Sequence, residues 1–229
     1  FLKKIYGDNG TFVSLDASVF YTYFQNVIIP DYDTNPNQII YDNLEGKSIS
    51  KGISANIDIT MYNGLQFMIG GTLQNVSNTE NGVTQRQILT ESYSANWSVG
   101  YQIKPWNLKI DYTGNLYGPM RLPTLGESDP RRDFSPAWSI QNIQLSYDGI
   151  KNFEIYGGVK NLLDWTPNRG NPFIIARTND PFDKGVTFDA NGNAVATPNN
   201  PNALTFDPSY VYGPNQGIRS FIGLRYTLN

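Results

Sequence analysis

The 229-residue chain contains no histidine and no cysteine. The commonest general base and metal ligand is therefore missing, and with it thiol chemistry and any disulfide. Serine is abundant, but a hydroxyl is a weak nucleophile until a neighbouring base activates it. No enzyme activity is expected. Charge and oxygen remain. Asp180, Asp183 and Asp189 fall in one stretch and offer the hard oxygen ligands that Ca²⁺ takes. Asp and Asn beside Pro or Gly are also ordinary turn residues, and that reading is preferred, with no cofactor expected. Arg121, Arg131 and Arg132 form one cationic group; Arg169 and Arg177 form another. A guanidinium grips carboxylate or phosphate bidentately. Arg121, Arg131, Arg132 and Arg177 are therefore candidate contacts for an anionic small molecule, and Tyr210 and Tyr212 join them as aromatic candidates. The competing readings, which are preferred, pair the arginines with Glu127, Asp129 and Asp133 or set them against anionic surface lipids. The net charge of −3 carries no basic run that would suit nucleic acid.

The elements that would carry these residues are strands. Alternation with a period of two dominates the sequence. Ile53, Ala55, Ile57, Ile59 and Met61 point one way, and Ser54, Asn56, Asp58 and Thr60 the other. Asn63-Gly64 follows, a strong hairpin signal. The pattern recurs from Val13 to Tyr23, from Tyr93 to Ile103, from Leu108 to Leu116 and from Ile218 to Leu228. It slips near Ile140, where a bulge or an exit from the membrane is expected. The strands are expected over 11–29, 38–62, 65–78, 91–104, 107–120, 137–148, 153–163 and 217–229. Each is long enough to cross a bilayer when tilted.

Composition says what faces the strands present. Charged residues make up 16% of the chain, against about 25% in a typical globular protein. Aromatics reach 14%, and many sit near expected strand ends. The polar faces hold mostly Ser, Thr, Asn, Gln and Gly, where a water-facing surface would carry more Lys and Glu. No apolar run reaches the length of a membrane helix. Connections alternate strictly: tight ones at Asn63-Gly64, Pro105 to Asn107 and Gly149 to Asn152, and long ones at Pro30 to Asn37, Thr79 to Thr90, Arg121 to Pro136 and Asp164 to Gln216. Short periplasmic turns and long external loops mark outer-membrane barrels. A soluble β-sandwich has no such order. The fold class is therefore all-β, an antiparallel transmembrane β-barrel with eight strands in this chain. No leader-like segment opens it at Phe1, which suits a mature chain or a piece of a longer one.

Two motifs carry a family resemblance. Gly223, Tyr226 and Leu228, in Gly-Leu-Arg-Tyr-Thr-Leu, resemble the terminal signal by which the barrel-assembly machinery recruits a last strand, although Asn229 follows where an aromatic is usual. Val159, Asn161, Leu162, Leu163, Asp164 and Pro167 resemble the penultimate-strand motif of TonB-dependent receptors. The runs Leu15 to Ile28 and Asn43 to Tyr62 are similar to strands of that family. Asp180 to Asp183 and Tyr210 to Gly213 are similar to the last loop of its Bacteroidetes members. The resemblance implies a barrel of about 22 strands, of which this chain supplies the last eight, and a plug domain that lies outside it. It also implies TonB and outer-membrane lipid as partners, and a scarce, bulky nutrient such as a ferric siderophore or cobalamin as cargo. Two alternatives remain open. One is a complete eight-stranded barrel with a structural or adhesin role; the other is an accessory barrel of an envelope complex. A closed eight-stranded barrel must fill its interior with side chains. Inward positions such as Ser14, Ser18, Ser54, Ser94, Ser98, Gly70, Gly100, Gly158 and Gly223 are small, which favours a wide lumen.

Overall fold

The computed structural model describes residues 1–31, 40–123, 132–167, 174–175, 187–190, 194–198, 201, 205–206 and 212–228. Its strands are β1 (Leu2–Tyr6), β2 (Phe12–Gln25), β3 (Ile28–Asp31), β4 (Ile40–Asn43), β5 (Gly46–Thr60), β6 (Leu65–Glu80), β7 (Val83–Arg86), β8 (Tyr93–Ile103), β9 (Leu108–Tyr117), β10 (Trp138–Ile150), β11 (Phe153–Lys160), β12 (Ile174–Ile175), β13 (Thr187–Phe188), β14 (Ala194–Val195), β15 (Thr205–Phe206) and β16 (Arg219–Tyr226). The main sheet runs β1-β2-β5-β6-β8-β9-β10-β11-β16, with β7 paired to β6. Each pairing in it is antiparallel. β1 and β16 do not pair with each other, so the described sheet is open and is not a closed eight-stranded barrel.

Every segment expected to be a strand carries one of the long strands of this sheet. β1 extends it. Leu2, Lys3, Lys4 and Ile5 do not alternate, yet they pair with Ser14 to Asp16 and Val13 through the turn at Gly7 to Thr11. That turn lies at the same end as the other tight connections, because Phe12 pairs with Thr60. In those connections Gly64, Asn107 and Asn152 take positive φ of 89°, 49° and 65°, a region that Gly and Asn enter most easily.

Register sorts the side chains onto two faces. Val13, Ile59, Phe67, Val99, Tyr112, Ile143 and Val159 stand side by side across seven strands. One residue along, Ser14, Asp58, Met68, Ser98, Thr113 and Asn142 form the matching row of the other face. The apolar face is bare: Val19 is 80%, Leu73 64% and Ile222 83% exposed. A soluble protein rarely leaves so large a continuous apolar surface uncovered. On the polar face Ser18 and Ser54 share a hydrogen bond of 2.7 Å, and Asn142 Nδ2 donates to Thr113 Oγ1.

Two sequence expectations change here. Ile140 pairs in register with Asn115, and the irregularity lies instead between Tyr147 and Ile150. Ile140 breaks the apolar pattern because it packs into a buried cluster on the polar face. The small inward residues also have a second cause. Gly158 stands opposite Phe221, and Gly223 opposite Tyr156. At Gly223 an added Cβ would overlap the Tyr156 ring; at Gly158 it would strike the Ile143 carbonyl oxygen first, with the Phe221 ring close behind. Gly223 is small to seat an aromatic and Gly158 to admit the neighbouring backbone, whatever the width of the lumen.

Candidate functional site

The long connections gather at one end of the sheet, and the last of them is fastened by residues 159–167. Asn161 and Asp164 both have positive φ, 55° and 49°, which their short polar side chains tolerate. Asn161 is 4% exposed. Its Nδ2 donates to the carbonyls of Trp165 and Gln216, at 2.7 and 2.9 Å, and its Oδ1 accepts from Trp165 N–H. Its own N–H donates to Asn142 Oδ1. Asp164 Oδ1 accepts the Ile218 N–H at 2.8 Å. One buried amide and one carboxylate thus tie the start of the loop to the strand that ends it. A buried amide satisfied on all sides fixes a backbone this way.

Above this latch lies the buried cluster of Met120, Leu122, Trp138 and Tyr212, with Leu89, Tyr117, Ile140 and Trp165 against it. Tyr117, Trp138 and Trp165 form a continuous stack, with ring centroids 4.3 and 4.7 Å apart, and Tyr212 tilts onto Trp165 at 6.1 Å. The Tyr212 hydroxyl donates to the Pro167 carbonyl at 3.0 Å. Burial pushes its pKa up to about 12, since the phenolate would lose its hydration. The third and fourth long connections meet in this cluster.

Beside it the first and second long connections enclose a cleft of about 780 Å³. Asp31, Asp42, Glu45 and Glu80 line it, against Arg86 and Arg121. Carboxylates outnumber guanidiniums. Glu80 Oε1 accepts the Glu45 N–H at 3.1 Å. Asn78 Nδ2 donates to Gln87 Oε1 at 2.6 Å, while its buried Oδ1 has no partner among the described residues. Arg86 is held over the Phe134 ring at 5.6 Å. The cleft can take a polar ligand by hydrogen bonds, with acceptors in excess.

Of the residues singled out in the sequence, the structure describes Arg121, Arg132, Tyr212, Asp189, Gly223, Tyr226 and Leu228. Arg121 lines the cleft. Arg132 is exposed on the return segment, where Leu122 N–H donates to the Asp133 carbonyl. Tyr212 is 7% exposed; it belongs to the loop packing, and its hydroxyl is already engaged. Arg131, Arg177, Tyr210, Asp180 and Asp183 lie outside the described residues. Asp189 is exposed next to β13. Among the described residues no group of three or more acidic side chains is placed to hold a metal ion. Gly223 seats Tyr156 on the polar face; Tyr226 packs on Phe153 at 4.8 Å on the apolar face, and Leu228 is exposed just past β16. Sequence reasoning missed Asn78, Trp138 and Trp165. It quoted Asn161 and Asp164 without their role, although a buried-looking Asn three residues before an Asp was the available signal.

The comparisons agree with this architecture. A family model described as the β-barrel of TonB-dependent receptor-like proteins matches residues 2–162. No curated protein matches the chain in sequence. Among solved structures, the ferric-catecholate import receptor Fiu of E. coli K12 superposes with a TM-score of 0.58 at 13% identity, over 98% of this chain and 26% of its own. The ferric yersiniabactin uptake receptor FyuA of Yersinia pestis gives 0.58 at 15% identity, over 97% of this chain and 28% of its own. The ferripyoverdine receptor of the Pseudomonas aeruginosa outer membrane gives 0.57 at 14%, over 97% and 26%. At such identities the likeness speaks for fold alone, and the chain spans little more than a quarter of each receptor. The alternating faces, the open antiparallel sheet and the match over 2–162 together make this chain a member of the TonB-dependent receptor β-barrel family, a barrel of the bacterial outer membrane.

Proposed function

We propose that the chain forms the last strands of a barrel of about 22, in a receptor that imports a scarce, bulky nutrient, a ferric siderophore first and cobalamin second. The plug and the TonB-contacting segment belong to the rest of the protein. The long connections capture the ligand, and TonB-driven rearrangement of the plug opens the lumen. The observation that carries this reading is the polar face. Asp16, Asp58 and Arg219 point from it with no ion-pair partner among the described residues, whereas Lys109–Asp111 and Glu154–Arg225 are already paired. Charges on an inner wall are stabilised by water or by partner charges, and a plug provides such partners. The names of the receptors it resembles support iron chelates as the first ligands to try.

The test is uptake by the full-length receptor. Cells relying on it for iron are given ⁵⁵Fe-loaded catecholate, hydroxamate and mixed siderophores, with and without a functional TonB. Accumulation that requires both the receptor and TonB supports the reading. Siderophore uptake equal in receptor-deleted cells, with TonB-dependent ⁵⁷Co-cobalamin uptake lost, would move the cargo to cobalamin. No TonB-dependent uptake of either would sink the import role.

A further inference from the structure

The two faces of β2, β5 and β6 segregate charge by sign. The polar face carries Asp16, Asp58 and Glu80 and no base; the apolar face carries Lys47 and Lys51 and no acid. Both lysines are exposed, and neither has a hydrogen bond or ion pair through its side chain among the described residues. They sit four residues apart on one face of β5, about 13 Å along the strand. Lys51 stands between Tyr21 and Asn75 in register. Just below that row, towards the tight-turn end, Val19, Ile53 and Leu73 form the next one. These six residues line a shallow groove of about 510 Å³. β5 is flanked by β2 and β6, so neither backbone edge awaits a further strand. The remainder of a barrel and its plug would leave this outer surface as it is.

A lysine here has its stem along apolar side chains and its ammonium at the level where the apolar band ends and the long connections begin. Lysine snorkels in that way, and Tyr21 is the residue type that settles at headgroup depth. Lys51 on the lining of an apolar groove, with Lys47 beyond it on the same face of β5, matches one kind of molecule, an anion with hydrocarbon attached. We infer that Lys47 and Lys51 hold the phosphate of an anionic membrane lipid whose acyl chain lies in the groove of Val19, Ile53 and Leu73. The inference rests on the outer-membrane placement and is independent of which nutrient is imported.

The test is native mass spectrometry of the full-length receptor in detergent, titrated with phosphatidylglycerol or with phosphatidylcholine of the same acyl chains. The wild type should retain phosphatidylglycerol at concentrations where phosphatidylcholine is lost. K47Q/K51Q should lose one tightly held phosphatidylglycerol, roughly fivefold in affinity for each lysine removed, and K47R/K51R should keep it. Inorganic phosphate should not displace the lipid. Equal retention by the wild type and K47Q/K51Q overturns the proposal. So does equal retention of the two lipids by the wild type, displacement by inorganic phosphate, or a second receptor copy held through this face in place of lipid. Barrel integrity is read from the shift in gel mobility on boiling. Should K47Q/K51Q fail that check, Lys47→Gln and Lys51→Gln are read singly, and an unchanged phosphatidylglycerol preference in both overturns the proposal.

Discussion

A single amide fixes the root of the longest connection. Asn161 satisfies two carbonyls with its Nδ2 and one N–H with its Oδ1. Asn161→Ala removes all three partners and puts Ala at a positive φ; a loss of about 2–4 kcal/mol of local stability follows. Asn161→Asp is the sharper probe. It keeps the acceptor for Trp165 N–H but turns an oxygen towards two carbonyls, so it should be at least as damaging. Limited proteolysis of the intact receptor should show earlier cutting between 161 and 218 in both variants. Tyr212 adds a pH dependence. Its folded pKa lies near 12 against 10 for the free side chain, so between those values the unfolded chain has released a proton that the folded one retains. Stability from this group is complete below pH 10 and is lost as pH rises towards 12. Melting of the wild-type receptor should fall more steeply over that range than melting of Tyr212→Phe, which should itself cost about 1 kcal/mol at neutral pH through the lost bond to Pro167. Neither role was legible beforehand. The sequence shows that Asn161 and Asp164 recur in a motif and that Tyr212 is aromatic. It does not show that residues 161, 165, 212 and 216 meet, because the intervening chain imposes no period.

At the level of strands, the alternation decided almost everything, since a one-residue slip would exchange the two faces. What it could not show was β1, whose Leu2-Lys3-Lys4-Ile5 fits no period of two, and β7, whose residues are mostly polar. Both are recruited by an open edge of β2 or β6. The cross-strand seating of aromatics on glycines was also hidden. Trp97 covers Gly114, Phe20 covers Gly52, Tyr156 covers Gly223 and Phe221 covers Gly158, each the register partner of the other. Such pairs pin register as well as cover backbone. Gly114→Val should drive the Trp97 ring off its seat and destabilise the barrel by about 1–3 kcal/mol, read as a lower urea midpoint in lipid vesicles. Trp97→Ala alone leaves backbone uncovered without overlap and should be milder. A Gly114→Val barrel as stable as the wild type would mean the seating has no energetic weight.

For the molecule as a whole, the open sheet has two unsatisfied edges, β1 and β16. Exposed edges template further pairing. The 229-residue segment refolded alone into detergent should therefore give oligomers with no shift in gel mobility on boiling, while the full-length receptor gives a compact monomer. A monomeric, boiling-sensitive species from the segment alone would show that these strands close on themselves. Of the arginines named from the sequence, Arg121 lines a cleft in which carboxylates prevail and Arg132 is exposed, while Arg131 and Arg177 lie outside the described residues.

The pairing of Lys160 with Arg219 joins two neighbouring strands across residues 161–218, while every other hairpin in the main sheet is closer in sequence. Closing so long a segment is entropically dearer than closing a four-residue turn, but only by about 2 kcal/mol, because the penalty grows with the logarithm of length. Doubling the segment again would add about 0.6 kcal/mol. With the latch at Asn161 and Asp164 holding both ends, natural insertions and deletions can rewrite what lies between them at almost no thermodynamic penalty, so this is the place where the receptor can diversify fastest while its barrel stays the same.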